Sequence, residues 1–419
     1  MGHPLLLVQL LVIIVAARLM AWALRWLGQP AVVGEMIAGL ALGPLVFGAL
    51  APSWQAQLFP ADSLGNLQSL STLGLVLFMT VVGAELRIPQ GSRVLRPAGW
   101  IGGLACALPA LLALGIAPWL YGAYAPAGVA YWPFALFLAT ACAITALPVM
   151  ARIVKERRLT DTTPGRLGLA AAAVADVFAW VALAFVVALI SARGSWWPFL
   201  RTIGGLLGLL AVAWLVLRPL CARLLARHAP DGQTRGAVLA FLLAGAFGCA
   251  AVTEWLGLHA VFGAFLFGVC LPRDDRLLHG LIERVEHVTL AAFLPVVFVL
   301  AGLSTTAELL SADAALALTL VLLVAIGGKL IGGALGARVA GQGWRDSLAI
   351  GSLMNARGLM ELIVIKVGLD AGVITPAMFT ILLVMAILTT MMTTPMVMAL
   401  ESRGAAAVSE ASGMSGTDA

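Results

Sequence analysis

Leu353-Met354-Asn355-Ala356-Arg357-Gly358-Leu359 interrupts an apolar run that extends over 346–370. Asn355 and Gly358 both weaken a helix at that point, and Arg357 places a charge in a segment otherwise composed to be dry. An earlier run, 132–154, carries a counterpart, Ala143-Ile144-Thr145-Ala146-Leu147-Pro148-Val149, in which Pro148 removes a helical hydrogen bond. The two interruptions lie about 210 residues apart, half the chain. Matching breaks in corresponding places of two halves predict a pair of broken spanning helices, with unwound carbonyls and opposed half-helix ends lining a site at mid-depth. Thr145, Pro148, Asn355, Arg357 and Gly358 are the lining residues on this reading. Two unrelated kinks would give the same pattern without a site.

The composition supports a membrane body. The chain has 419 residues, of which 62% are hydrophobic and 11% charged, with mean hydropathy +1.03. A soluble domain carries about 25% charged residues. A spanning helix needs about 20 apolar residues, and thirteen candidates are present: 5–27, 30–49, 67–86, 98–120, 132–154, 164–190, 197–217, 234–254, 258–271, 288–303, 314–338, 346–370 and 376–400. No Lys or Arg precedes the first run, while Arg18 and Arg25 follow it, so it reads as a retained helix rather than a secretory signal. With thirteen spans, 20 of the 25 Lys and Arg fall on one side. Only Arg193 and Arg201 fall on the other, and Lys329, Arg357 and Lys366 lie within the spans. That asymmetry puts the N-terminus outside and the C-terminus in the cytoplasm of an inner (plasma) membrane.

Other function classes find little support. The net charge of +5 is scattered over short loops, which argues against a nucleic-acid partner. Cys106, Cys142, Cys221, Cys249 and Cys270 show no paired spacing and read as small buried hydrophobes. His3, His228, His259, His279 and His287 lack metal-ligand spacing. The glycines lack the strand–turn–helix setting of a nucleotide site. No catalytic residue and no cofactor are therefore expected. Residues 401–419, rich in Ala, Gly and Ser, read as a disordered cytoplasmic tail, with no soluble regulatory domain after the last span.

Charge inside a membrane costs about 2.5–3.5 kcal/mol on insertion scales, so such residues are functional candidates by default. Glu35, Asp176, Lys329, Arg357 and Glu361 are the five that stand out; Lys366 is close enough to a segment end to snorkel. Asp176 sits in Leu169-Ala-Ala-Ala-Ala-Val-Ala-Asp176-Val-Phe-Ala-Trp180, with no other charge within nine positions. A carboxylate there suits a proton and a hard monovalent cation in turn, because oxygen ligands favour hard ions. A structural ion pair with Lys329 is the alternative. Lys329 lies in Ala325-Ile-Gly-Gly-Lys-Leu-Ile-Gly-Gly333, whose glycines let a neighbouring helix come close. It serves either as a buried counter-ion or as a group that also titrates. Arg357 and Glu361 are four apart and could pair.

These stretches resemble the second monovalent cation/proton antiporter family, which includes Kef-type potassium/proton antiporters and plant cation/proton exchangers. The similarity is carried by Val33-Gly-Glu35-Met-Ile-Ala-Gly-Leu-Ala-Leu-Gly-Pro44, Thr145-Ala-Leu-Pro-Val-Met-Ala-Arg152, Ala173-Val-Ala-Asp176-Val-Phe-Ala-Trp180, Gly328-Lys329 and Met354-Asn-Ala-Arg-Gly-Leu-Met-Glu-Leu-Ile-Val364. The resemblance implies an all-α membrane protein of about 13 transmembrane helices: two inverted six-helix repeats, about 5–190 and 234–400, a linker helix about 197–217, and crossed broken helices. It implies that Asp176 carries the proton or, transiently, the cation, and that Lys329 is the buried lysine; Glu35 and Glu361 read from their placement as supporting charges within the membrane. It also implies a homodimer in the lipid bilayer, exchanging Na⁺ or K⁺ for H⁺ in pH homeostasis. One departure matters: the family usually has a polar residue before the carrier aspartate, and here it is Ala175. The cytosolic nucleotide-binding domain of Kef-type proteins has no counterpart in this sequence. A sodium-coupled organic anion symporter shares the architecture but would want more polar groups around its cavity than Thr145, Asn355 and Arg357 supply. A non-transporting sensor subunit would call for a large cytosolic output domain.

Overall fold

A chain in hydrocarbon has no water to satisfy its backbone, so each apolar run must close its own hydrogen bonds as helix. The computed structural model shows this outcome; it describes residues 2–86, 92–191, 196–228, 236–256, 259–272, 280, 282–306 and 311–414. All secondary structure among the described residues is helical. In chain order the helices are α1 (Gly2–Arg25), α2 (Ala31–Leu42), α3 (Phe47–Leu50), α4 (Pro52–Leu58), α5 (Ala61–Glu85), α6 (Ser92–Tyr124), α7 (Tyr131–Ala143), α8 (Leu147–Glu156) and α9 (Thr163–Ser191). Then follow α10 (Trp196–Val212), α11 (Arg218–His228), α12 (Gly236–Trp255), α13 (Ala260–Cys270), α14 (Leu294–Leu303), α15 (Ala312–Val339), α16 (Trp344–Leu353), α17 (Leu359–Asp370) and α18 (Pro376–Met414). A π-helical turn at Ala213–Leu217 joins α10 to α11, and two more, Ile282–Glu286 and Thr289–Phe293, lead into α14.

Among the described residues, eleven helical spans are long and apolar enough to cross a bilayer. The short α13 and the interrupted pair α16–α17 bring the crossings to the thirteen expected. The second span runs over Ala31–Leu50, close to the expected 30–49. Within it α2 stops at Leu42, because Gly43 takes an extended conformation before Pro44, and α3 resumes at Phe47. Helix α18 continues into the stretch 401–419 as far as Met414. Ala405–Ala407 favour helix, and extending α18 needs no new nucleus. Arg87, Arg193, Arg235, Arg273, Arg276 and His279 lie outside the described residues.

The helices sort into two bundles. In one, α6 lies along α15, and α7, α8, α9, α16, α17 and α18 gather around them. In the other, α5 lies along α13 and α2 along α14, with α1 and α12 at the sides. Few contacts join the bundles, chiefly α2 with α18 and α14 with α17. Glycine sets the closest approaches inside each. A Cβ on Gly328 would lie 2.6 Å from Pro109 Cα of α6, and one on Gly332 would lie 2.4 Å from the Leu104 carbonyl. The glycines beside Lys329 thus do what their pattern predicted. In the second bundle a Cβ on Gly302 would lie 1.9 Å from the Gly39 carbonyl.

Candidate functional site

The first break separates α7 from α8. Ile144 and Ala146 are extended, and Pro148 occupies the first turn of α8, where its missing N–H leaves no gap in the ladder. The second break separates α16 from α17 at residues 354–358. Gly358 is needed there for proximity: a Cβ on it would come within 2.4 Å of Val149 on α8. The breaks cross and bond to each other. The Ala146 N–H donates to the Ala356 carbonyl at 2.9 Å, and Thr145 Oγ1 donates to the Met354 carbonyl at 3.2 Å.

A half-helix that stops inside the membrane leaves carbonyls without intrahelical partners and a partial negative charge. At α7 both needs are met by cations. Arg357 donates from Nη1 to the Ala141 carbonyl at 2.7 Å and from Nη2 to the Cys142 carbonyl at 2.6 Å. Lys329 Nζ donates to the Ala143 carbonyl and to Thr145 Oγ1. Arg357 also pairs with Glu361 at 2.8 Å, as their spacing suggested, and both side chains are fully buried.

Helix α18 holds the second break from behind. Asn355 Nδ2 donates to the Thr389 carbonyl at 3.2 Å, and the Arg357 N–H donates to Thr390 Oγ1 at 3.1 Å. Thr390 Oγ1 also lies 2.9 Å from the Arg357 carbonyl. Sequence reasoning passed over these threonines. Their signal was Thr389-Thr390 and Thr393-Thr394, two polar pairs one turn apart in an apolar span, all buried.

Asp176 stands apart from these pairings. It lies in α9, only 1% exposed, and neither carboxylate oxygen has a hydrogen-bond partner. The ion pair with Lys329 weighed from the sequence does not form, because the ammonium is drawn to the end of α7 instead. Lys329 still acts on Asp176 through its charge, and the Leu147 N–H at the start of α8 approaches the carboxylate without completing a hydrogen bond. The carboxylate thus faces the positive end of one half-helix, while the two cations hold the negative end of the other.

The other predicted residues lie further out. Glu35 is on α2 in the second bundle, 3.5 Å from Arg18, and senses Arg152 of α8 across the boundary. Lys366 pairs with Asp370 at 2.5 Å near a segment end. A cavity of about 500 Å³ opens between the bundles. Ala146, Pro148, Arg152 and Lys155 line one wall, and Glu85 and Glu286 the other. Among the described residues no three His, Cys, Asp or Glu gather as a metal site.

Comparison with known proteins bears on the family and the fold. Residues 12–399 match the family model described as "Sodium/hydrogen exchanger, transmembrane". The chain is 38% identical over 412 residues to Cation/H(+) antiporter 17 of Arabidopsis thaliana, covering 96% of this chain and 49% of that one. It is 35% identical over 395 residues to the Na(+)/H(+) antiporter NhaS4 of a Synechocystis species, covering 94% and 96%. The chain therefore spans about half the length of the plant relative and nearly all of the cyanobacterial one. Its fold resembles that of the sodium proton antiporter MjNhaP1 from Methanocaldococcus jannaschii, with a TM-score of 0.69 and 17% identity over 97% of this chain and 99% of that one. The resemblance to monovalent cation/proton antiporters read from the motifs is borne out, and the chain belongs to the sodium/hydrogen exchanger family.

Proposed function

We propose that the protein exchanges a monovalent cation, Na⁺ or K⁺, for H⁺ by alternating access, with Asp176 as the shared carrier. The observation that carries this reading is a buried carboxylate without a hydrogen-bond partner beside the start of a broken helix. A structural carboxylate at this depth is given partners. A carrier must instead be free to take a proton or a cation in turn, with carbonyls and water completing the shell of a hard ion. Thr145, Pro148, Asn355, Arg357 and Gly358 keep the crossing open, and Lys329 and Arg357 hold the α7 carbonyls while the charge at Asp176 changes. Family membership supports the same reading.

On this account the first bundle moves against the second, presenting Asp176 to either side. The halves about 5–190 and 234–400 act as the two repeats, joined by the linker at about 197–217. Arg152 and Lys155 mark the cytoplasmic mouth of the cavity, with the N-terminus outside, the C-terminus in the cytoplasm and the protein in the inner membrane as a homodimer. No cofactor takes part; the cation is cargo. Proton movement in inside-out vesicles, with Na⁺, K⁺ and Li⁺ added separately, tests the reading. Cation-driven proton flux with at least one of them supports it, and none with any of them overturns it.

A further inference from the structure

We propose that Trp180 is the gate residue of the carrier site: its ring, held by Phe262 and Phe265, closes Asp176 off on the side away from the cavity. The proposal rests on the exchange reading above and extends it to coupling. Asp176 and Trp180 are four positions apart and share one face of α9. Both are buried, at 1% and 7% exposure, whereas Val177, Phe178 and Val181 on the other faces are exposed. Trp180 stacks on Phe265 with ring centroids 5.2 Å apart and meets Phe262 edge-on at 5.3 Å. Both phenyl rings belong to α13, so this contact crosses from one bundle to the other.

Direction follows from the chain path. A short turn after Glu156 leads from α8 into α9, so α9 starts at the same end as Arg152 and Lys155, which line the cavity. Trp180 lies one turn beyond Asp176 and therefore on the far side of the carboxylate. The cavity that reaches Ala146 and Pro148 thus lies toward one side of the carboxylate, and three aromatic rings lie toward the other. An ion that passes one side of a carrier while the other is open escapes without exchange, so coupling needs such a seal.

The Trp180 indole N–H has no hydrogen-bond partner although it is buried. Indole N–H groups usually find one when buried. Here the ring is held by stacking alone, and it can part from α13 when the bundles move without leaving a broken hydrogen bond in the membrane. Stacked aromatic contact is sequence-tolerant in its partner ring, which predicts that phenylalanine can stand in for Trp180.

The test is the ratio of cations to protons moved by purified protein in proteoliposomes, with Na⁺ and K⁺ as the cations. Trp180→Ala should raise cation flux severalfold with no matching proton movement, and Phe265→Ala should do the same less strongly. Trp180→Phe should keep the wild-type ratio. A fixed ratio in Trp180→Ala, or, should that variant not fold, in Phe265→Ala, overturns the proposal. Wild-type protein serves as the separate check on the exchange reading. If it moves no protons against cations, that reading falls; if it does and the variants remain coupled, only the gate falls.

Discussion

Arg357 and Glu361 face each other at 2.8 Å with both side chains fully buried, and the same guanidinium carries the Ala141 and Cys142 carbonyls at the end of α7. Removing the arginine leaves a carboxylate and two carbonyls without partners in the membrane. Breaking a buried pair in this way costs about 3–5 kcal/mol. Arg357→Ala should therefore melt well below wild type in detergent and give reduced yield. A wild-type melting temperature would show that the pair and the α7 cap contribute little.

Gly302 of α14 and Gly39 of α2 set the closest helix approach in the second bundle. A methyl on Gly302 would sit 1.9 Å from the Gly39 carbonyl, so the helices must separate to admit it. Gly302→Ala should lose about 1–3 kcal/mol, the usual effect of overfilling a close contact. Unchanged thermal stability would mean that the two helices part freely.

The pH dependence follows from one carboxylate serving two ions. On the proposed exchange, Asp176 must release its proton before it can hold a cation. Apparent cation affinity is therefore highest where Asp176 is ionised and falls with falling pH, by about tenfold per unit once protonation dominates. At high pH, protons for the return step become scarce, so activity should be bell-shaped. Cation affinity that does not change across the acidic limb would separate the proton site from the cation site.

Charge balance depends on Ala175 and Lys329. Ala175 contributes no second acid beside Asp176, and Lys329 is held by the Ala143 carbonyl and Thr145. If Lys329 keeps its proton throughout, one proton exchanges for one cation and the cycle is electroneutral. A membrane potential applied to proteoliposomes should then leave the steady cation distribution unchanged. A potential-driven shift would implicate a second proton site, with Lys329 the first to test.

The breaks at Pro148 and at Asn355–Gly358 were legible because proline, asparagine and glycine interrupt a helix for local reasons, whatever lies nearby. The Arg357–Glu361 pair was legible from its spacing. What Lys329 holds was not. An ion pair with Asp176 was the alternative the sequence offered, and the ammonium instead holds Thr145 and a carbonyl left free where α7 stops. That carbonyl has no sequence signature, since it becomes available only when one broken helix crosses another. The same holds for Thr389 and Thr390, which look like ordinary membrane threonines until α18 is laid behind the second break. Trp180 was visible within its motif, but its partners on α13 belong to the other bundle and arise from how the two bundles meet.

The central claim is that Asp176 carries both ions, and Asp176→Asn tests it most directly. The amide keeps the size and polarity of the side chain and cannot alternate between proton and cation. Exchange measured in proteoliposomes, with thermal stability followed alongside, should fall to background while the protein stays folded. Exchange by Asp176→Asn at more than a small fraction of the wild-type rate would contradict the account.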